Sequence, residues 1–73
     1  MRIVVYPNDH RPAHVHVIGP AHEAVFELNG AEETATVREN YGFARRDLDR
    51  IERRLLENLA RLLGEWDSIH GTE

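Results

Sequence analysis

The chain has 73 residues, a formal net charge of −4 and no cysteine. A chain of this length forms one domain, and the lack of cysteine excludes a disulfide framework and thiolate metal ligands. No apolar stretch approaches the roughly 20 residues that a membrane span requires. Met1 is followed by a charged residue and a strand-like run instead of a signal peptide. We therefore expect a single cytoplasmic domain over residues 1–73 that does not enter a membrane.

The first forty residues have the pattern of short β-strands. Alternating or β-branched runs occupy residues 2–6, 14–18, 22–28 and 33–38. These runs predict four strands between about residues 2 and 38. Asn29 and Gly30 are the pair that a two-residue type I′ turn favours. Such a turn would place Ala24 opposite Ala35 on one apolar face.

The alternation in the second strand divides its side chains between the two faces of the sheet. Val15 and Val17 join the apolar face only if the following loop has an even number of residues, two or four, because a slip by one residue reverses every side chain. His14 and His16 then lie together on the opposite face. We expect that face to be left open to a ligand.

Residues from about 45 to 70 have the pattern of one long helix. Apolar side chains recur every three or four residues, at Leu48, Ile51, Leu55, Leu59, Leu62, Trp66 and Ile69. The pattern predicts an α+β fold, a four-stranded antiparallel sheet followed by one long C-terminal helix packed on one face. About 26 helical residues would extend about 39 Å, about twice the length of these strands. The excess length requires a break near Gly64, or a second copy or small protein partner that contacts Leu62, Trp66 and Ile69.

Three of the five histidines lie within residues 10–17. Histidine ionises near neutral pH, so one ring can remove the proton of a ribose 2′-hydroxyl while a second protonates the leaving oxygen, and an arginine stabilises the charge on the phosphate. His14, His16 and Arg38 are the candidates for these catalytic roles. The candidate binding residues around them are His10, Arg11, Glu23, Glu27, Arg45 and Arg46.

The charge pattern restricts what such a surface can bind. All nine basic residues are arginine, but the net charge of −4 argues against broad nonspecific binding to nucleic acid, so any anion site must be local. Arg45 and Arg46 fall in the first turn of the predicted helix, where cations oppose the helix dipole. This position makes them candidates for contact with an anionic partner such as RNA.

Two alternatives to catalysis remain open for the same histidines. Side chains two residues apart on a strand lie about 6–7 Å apart on one face, so His14 and His16 can bind one metal ion. A third ligand would come from Glu23, Glu27 or His10, and two imidazoles with a carboxylate suit zinc or non-haem iron. The other alternative is a noncatalytic surface, in which the histidines bond to Glu23 or Glu27 and contact a protein partner.

Two motifs carry a resemblance to a known family. The first is His-x-Pro-x-His-x-His, formed by His10, Pro12, His14 and His16, and the second is Arg-Glu-Asn-x-Gly-Phe at residues 38–43. Over nearly its whole length the chain resembles the bacterial domain-of-unknown-function family 4160, although Ala13 and Ala44 replace a usual proline and a frequent serine or threonine. The resemblance implies a small cytoplasmic bacterial protein. Similar proteins are often encoded beside a second short reading frame, which favours a toxin–antitoxin-type component acting on RNA.

Overall fold

The computed structural model describes residues 1–6 and 12–70. Four strands precede two helices: β1 (Arg2–Val4), β2 (His14–Ile18), β3 (Glu23–Asn29), β4 (Thr34–Tyr41), α1 (Arg45–Glu57) and α2 (Leu59–His70). Neighbouring strands are antiparallel, in the order β1-β2-β3-β4. The predicted α+β class and four-stranded sheet are confirmed. In this described part of the chain, no helix is long and apolar enough to cross a membrane.

One face of the sheet packs against the helices and forms the core. Val15 lies opposite Phe26, and Val17 lies opposite Ala24. The buried core residues are Val15, Val17, Ala24, Phe26, Leu28, Ala35, Ile51, Leu55, Leu59 and Leu62. The β2–β3 loop has four residues, 19–22, and the Gly19 N–H donates to the His22 carbonyl across it at 2.8 Å. The prediction of an even-length loop, with both valines on the apolar face, is therefore confirmed.

The predicted two-residue turn between β3 and β4 is wrong. Asn29 pairs with Thr34, so the turn spans four residues, 30–33. The Asn29 side chain accepts a hydrogen bond from the Glu32 N–H at 3.0 Å, and Glu33 has the positive φ of 57°. Asn29 therefore stabilises the turn through its side chain, a common role for asparagine before a turn. The observed pairing of β3 with β4 is shifted by four residues from the predicted one, since Ala35 pairs with Leu28 instead of Ala24. Because four is an even number, Ala35 stays on the apolar face.

A β-bulge interrupts the pairing of β3 with β4. Phe26 pairs with Val37, but Val25 pairs with Glu39, so Arg38 is the extra residue on β4. A bulge lets one strand carry an additional residue and changes the direction of nearby side chains. The Nε atom of Arg38 lies 3.8 Å from Oε2 of Glu27. This contact places the arginine on the side of the sheet opposite the core.

The prediction of one long helix is wrong, because the helix is interrupted at Asn58. The Asn58 side-chain amide donates to the carbonyl of Arg54 at 2.9 Å, and its backbone N–H donates to Leu55 at 3.1 Å. An asparagine side chain competes in this way for the carbonyl that a continuing helix would use. Asn58 has φ −118° and ψ 19°, outside helical geometry. The break occurs here and not at Gly64, which lies inside α2.

The second helix passes the end of the sheet where β1 and β3 finish. Leu63 contacts the β3–β4 turn at Gly30, and His70 reaches the carbonyl of Tyr6, just beyond β1. Leu62 and Trp66 are buried within the chain, whereas Ile69 is 47 % exposed. Of the three side chains predicted to contact a partner, only Ile69 therefore remains at the surface. A partner or second copy stays a prediction.

The Arg-Glu-Asn-x-Gly-Phe motif at residues 38–43 forms the connection between β4 and α1. The Asn40 side chain donates to the Phe43 carbonyl at 3.0 Å and accepts from the Phe43 N–H at 3.1 Å. Gly42 has a φ of 105°, and a Cβ there would collide with the His22 ring. Only glycine adopts such a conformation readily. α1 then begins at Arg45 with no side-chain cap from Ala44.

Substituting Gly64 with alanine should stabilise the fold by about 0.5–1 kcal/mol, because glycine is a poor helix former. An added Cβ at this position has no atom within 4 Å that it would displace. Denaturant unfolding monitored by circular dichroism measures the change. Gly42→Ala is the matched control and should destabilise the protein. A Gly64→Ala variant less stable than the wild type would contradict this account of α2.

Candidate histidine site on the face opposite the core

The second sheet face carries both candidate histidines. His14 pairs with Glu27, and His16 pairs with Val25. This face carries His14, His16, Glu23, Glu27 and Arg38, and we call it the histidine face. The centroids of the two imidazole rings are 5.6 Å apart. The predicted juxtaposition of two histidines opposite the core is therefore confirmed.

His14 is held by the backbone that precedes β2. Its Nδ1 atom lies 2.8 Å from the carbonyl oxygen of Pro12. A carbonyl oxygen only accepts, so Nδ1 carries the proton, and in the neutral ring the lone pair lies on Nε2. His14 is only 6 % exposed. The expectation that both rings lie open to a ligand is wrong for His14, because strand parity fixes the face of a side chain but not what covers it.

His16 has different neighbours. Its Nδ1 atom lies 3.6 Å from Oε2 of Glu23, and its side chain is 17 % exposed. The edge of the Tyr6 ring packs against it, with ring centroids 4.6 Å apart. The carboxylate of Glu23 is thus placed to partner a protonated His16 ring, while Tyr6 restricts access to it.

Arg38 lies on the histidine face next to Glu27. The Arg38 and Glu27 side chains are both about half exposed, and Glu27 is the strand partner of His14. The guanidinium group therefore lies at the exposed margin of the histidine face. Because its charge is partly balanced by Glu27, it provides one local positive site and not a broad basic surface.

Further carboxylates border the face at the end of β4. The Tyr41 hydroxyl donates to Glu39 at 3.2 Å. This hydrogen bond, followed by the negative charges of Glu39 and Glu23, raises the pKa of the Tyr41 phenol. The border of the histidine face is therefore acidic. This acidity fits the expectation that any anion site on the protein is local.

The structure does not bring all candidate binding residues together. Arg45 borders a pocket with Phe26 and Leu48 on the core side of the sheet, and its Nε lies 3.5 Å from Oδ1 of Asp49. Arg46 is exposed on the same helix. The sheet separates both arginines from the histidine face. The predicted contributions of His10 and Arg11 fall outside the described residues.

The metal alternative gains no third ligand from the part of the chain that is described. Across residues 1–6 and 12–70, no three His, Cys, Asp or Glu side chains form a group that could hold a metal ion. His10 lies outside these ranges, so zinc binding by His14 and His16 stays a prediction. In the described part of the chain, the Glu23 carboxylate near His16 is a polar neighbour of the ring.

Two contributors to the site were not predicted. Tyr6 covers His16, and the Pro12 carbonyl sets the tautomer of His14. The pairing of Val4 with His16 puts alternate residues of the β1 segment on the histidine face. The β-branched run at residues 2–6 predicted a strand there, but the order of β1 and β2 in the sheet was needed to place its side chains on the histidine face.

The fold and the site define a small α+β protein with a histidine pair on the sheet face opposite its core. The chain belongs to the family described as "Domain of unknown function (DUF4160)", whose sequence profile matches residues 1–67. This match confirms the resemblance found in its motifs. No curated protein and no solved structure matches the chain.

Proposed function

We propose that this chain is a toxin–antitoxin-type component that cleaves RNA in the cytoplasm. The observation that supports the proposal most is the histidine pair, with ring centroids 5.6 Å apart and different Nδ1 neighbours. The Nδ1 atom of His14 lies 2.8 Å from a carbonyl oxygen, and that of His16 lies 3.6 Å from a carboxylate oxygen. Two differently oriented imidazoles suit the two proton transfers of a phosphodiester cleavage.

The geometry suggests a separate role for each ring. In neutral His14 the hydrogen bond to Pro12 leaves the lone pair on Nε2, which is the form a general base requires. His16 lies beside the Glu23 carboxylate, which can stabilise the positive charge of a protonated ring. We therefore assign the base to His14 and the acid to His16.

The proposed cleavage reaction needs no cofactor. His14 removes the proton of a ribose 2′-hydroxyl, and the 2′-oxygen forms a bond to phosphorus. The bond from phosphorus to the 5′-oxygen breaks, and that oxygen receives a proton from His16. Arg38 stabilises the negative charge on the nonbridging oxygens. The products are a 2′,3′-cyclic phosphate and a 5′-hydroxyl end.

The limited access to the histidine face favours one form of RNA over another. His14 is nearly buried, His16 is covered in part by Tyr6, and both ring nitrogens of His16 are buried, so little of either ring is accessible. Single-stranded RNA, whose nucleotides can splay apart, fits such a surface better than a rigid duplex. Binding through the one guanidinium group of Arg38 should weaken only slightly as salt increases.

Incubation of a single-stranded RNA oligonucleotide with untagged protein in the presence of EDTA tests this proposal. We expect cleavage that leaves 2′,3′-cyclic phosphate and 5′-hydroxyl ends, because the mechanism uses the 2′-hydroxyl and no metal. DNA of the same base sequence is the matched control and should remain intact, since it lacks the nucleophile. Mass spectrometry of the products identifies the ends.

Two results would overturn the assignment. Intact RNA after prolonged incubation, together with unchanged growth of cells that express the protein, would remove the enzymatic role. Cleavage that EDTA abolishes and zinc restores would instead favour the metal site at His14 and His16.

A further inference from the structure

A groove lies on the core side of the sheet, between β1 and α1. Its lining combines apolar and cationic side chains, from Met1, Ile3, Val17, Arg50, Ile51 and Arg54. Because Ile3 pairs with Val17 on the neighbouring strand, the two side chains point to the same face of the sheet. We call this surface the β1–α1 groove.

The apolar side chains of the β1–α1 groove are only partly covered by the chain itself. Val17 and Ile51 are buried, whereas Met1 and Ile3 are exposed. The groove has a volume of about 260 Å³, which is below the roughly 300–1,000 Å³ of sites for drug-sized ligands. It therefore fits a short alkyl chain better than a large ligand.

Two arginines of α1 border this apolar surface. Arg50 and Arg54 are four residues apart, so they lie on the same side of the helix, one turn from each other. Both side chains are exposed. Among the residues of the described chain that line the groove, none has a carboxylate. The groove therefore joins an apolar surface to a positively charged border.

The other side of α1 has the opposite balance of charge. A groove beside β4 is lined there by Arg45 together with Asp49 and Glu52, and the Nε atom of Arg45 lies 3.5 Å from Oδ1 of Asp49. One arginine faces two carboxylates on that side. An anion is therefore attracted to the β1–α1 groove and not to the groove beside β4, although the chain as a whole has a net charge of −4.

The charges at the β1–α1 groove match a ligand with one negative charge. Nη1 of Arg50 lies 4.0 Å from Oδ1 of Asp47, which balances part of its charge. Arg54 supplies a second guanidinium group, and such a group can bind a carboxylate through two parallel hydrogen bonds. We propose that the β1–α1 groove binds an alkyl carboxylate, with its head at the two arginines and its alkyl chain along Ile3 and Val17.

A second copy of the chain is a poorer occupant of the groove. A symmetric dimer places the same surface of both copies face to face. The two arginines of each copy would then adjoin, without a carboxylate in the described lining to balance them, and such like charges oppose association. A small anionic ligand reduces the repulsion between Arg50 and Arg54 instead of adding to it.

The proposed carboxylate site is independent of the histidine face. Ile3 and Val17 point to the core side of the sheet, whereas His14 and His16 point to the opposite side. The sheet therefore separates the two sites. Failure of RNA cleavage would leave the carboxylate site unaffected, and loss of carboxylate binding would leave the histidine face unaffected.

A titration of isotopically labelled protein with sodium octanoate, followed by NMR chemical shifts, tests the proposal. We expect saturable shifts at the methyl groups of Ile3, Val17 and Ile51, with a Kd on the order of 1 mM for a ligand this small. Hexanoate should bind roughly tenfold more weakly, because each buried methylene strengthens binding by up to about fourfold. Octylammonium, which has the same alkyl chain and the opposite charge, is the matched ligand control and should not bind.

Two variants of α1 test the role of the arginines. Arg54 lines the groove, whereas Arg53 borders Asp49 and Glu52 elsewhere on the helix. Arg54→Gln should weaken octanoate binding by about two- to fivefold, the range of an exposed ion pair. Arg53→Gln removes the same charge from the neighbouring position, and it should leave the Kd unchanged.

Three results would overturn the proposal. The first is the absence of saturable shifts at concentrations of octanoate well above the expected Kd. The second is equal binding of octylammonium, or an equal Kd for Arg54→Gln and Arg53→Gln, because the arginines would then not select the ligand. The third is self-association of the ligand-free protein, measured by sedimentation, that Ile3→Thr abolishes, since this result would assign the groove to a second copy.

Discussion

Replacement of His14 or His16 with asparagine is expected to lower the rate constant of RNA cleavage by about 10²–10⁴-fold, the usual contribution of a general acid or base. An asparagine amide can occupy the position of Nδ1 and keep the contact with Pro12 or Glu23, but it has no group in the place of Nε2. Each variant therefore removes the proton-transfer atom while leaving a polar group beside the neighbour of Nδ1. Single-turnover cleavage of the RNA oligonucleotide measures the loss.

His22→Asn is the matched control, since the His22 ring packs against Phe43 outside the histidine face. It should retain wild-type cleavage. The wild type should also show a bell-shaped dependence of rate on pH, because one ring must be neutral while the other is protonated. Full activity in a folded His14→Asn or His16→Asn variant would rule out the acid–base mechanism.

Arg38→Gln separates charge stabilisation from proton transfer. Removal of one group that stabilises a developing oxyanion typically costs about 10²–10³-fold in rate. Unlike the histidine variants, Arg38→Gln should leave the two sides of the pH profile in place, because it does not remove a titrating ring. The variant therefore serves as an internal comparison within the same assay.

Replacement of Trp66 with alanine is expected to lower the free energy of unfolding by about 3–5 kcal/mol. Trp66 is 1 % exposed and is the largest fully buried side chain. Domains of 73 residues have a total stability of about 4–11 kcal/mol, so the loss is a large part of the total. Urea denaturation followed by circular dichroism measures the effect, since the variant lacks its tryptophan signal.

Ile69→Ala is the control on the same helix. Ile69 is 47 % exposed, and a surface substitution usually changes stability by no more than about 0.5 kcal/mol. A Trp66→Ala variant as stable as Ile69→Ala would show that Trp66 does not belong to the core. A loss of stability in Ile69→Ala that depends on protein concentration would instead support the predicted second copy at this helix.

The asparagine at position 58 shows where sequence periodicity stops being informative. Leu55 and Leu59 are four residues apart, which continues the apolar stripe without interruption. The stripe is preserved across the break, so it cannot distinguish one helix from two. The side-chain hydrogen bond from Asn58 to Arg54 decides between them, and it lets α2 pack Leu59 and Leu62 into the same core as α1.

The sequence by itself determined the α+β class, the four strands, the composition of the apolar face and the placement of His14 and His16 on the opposite face. These properties follow from local alternation and parity, which a chain carries in neighbouring residues. Only the tertiary structure decided the burial of His14, the cover that Tyr6 gives to His16 and the contact of His70 with Tyr6. Those depend on segments far apart in the chain, such as β1 and α2, whose meeting has no signature in either segment alone.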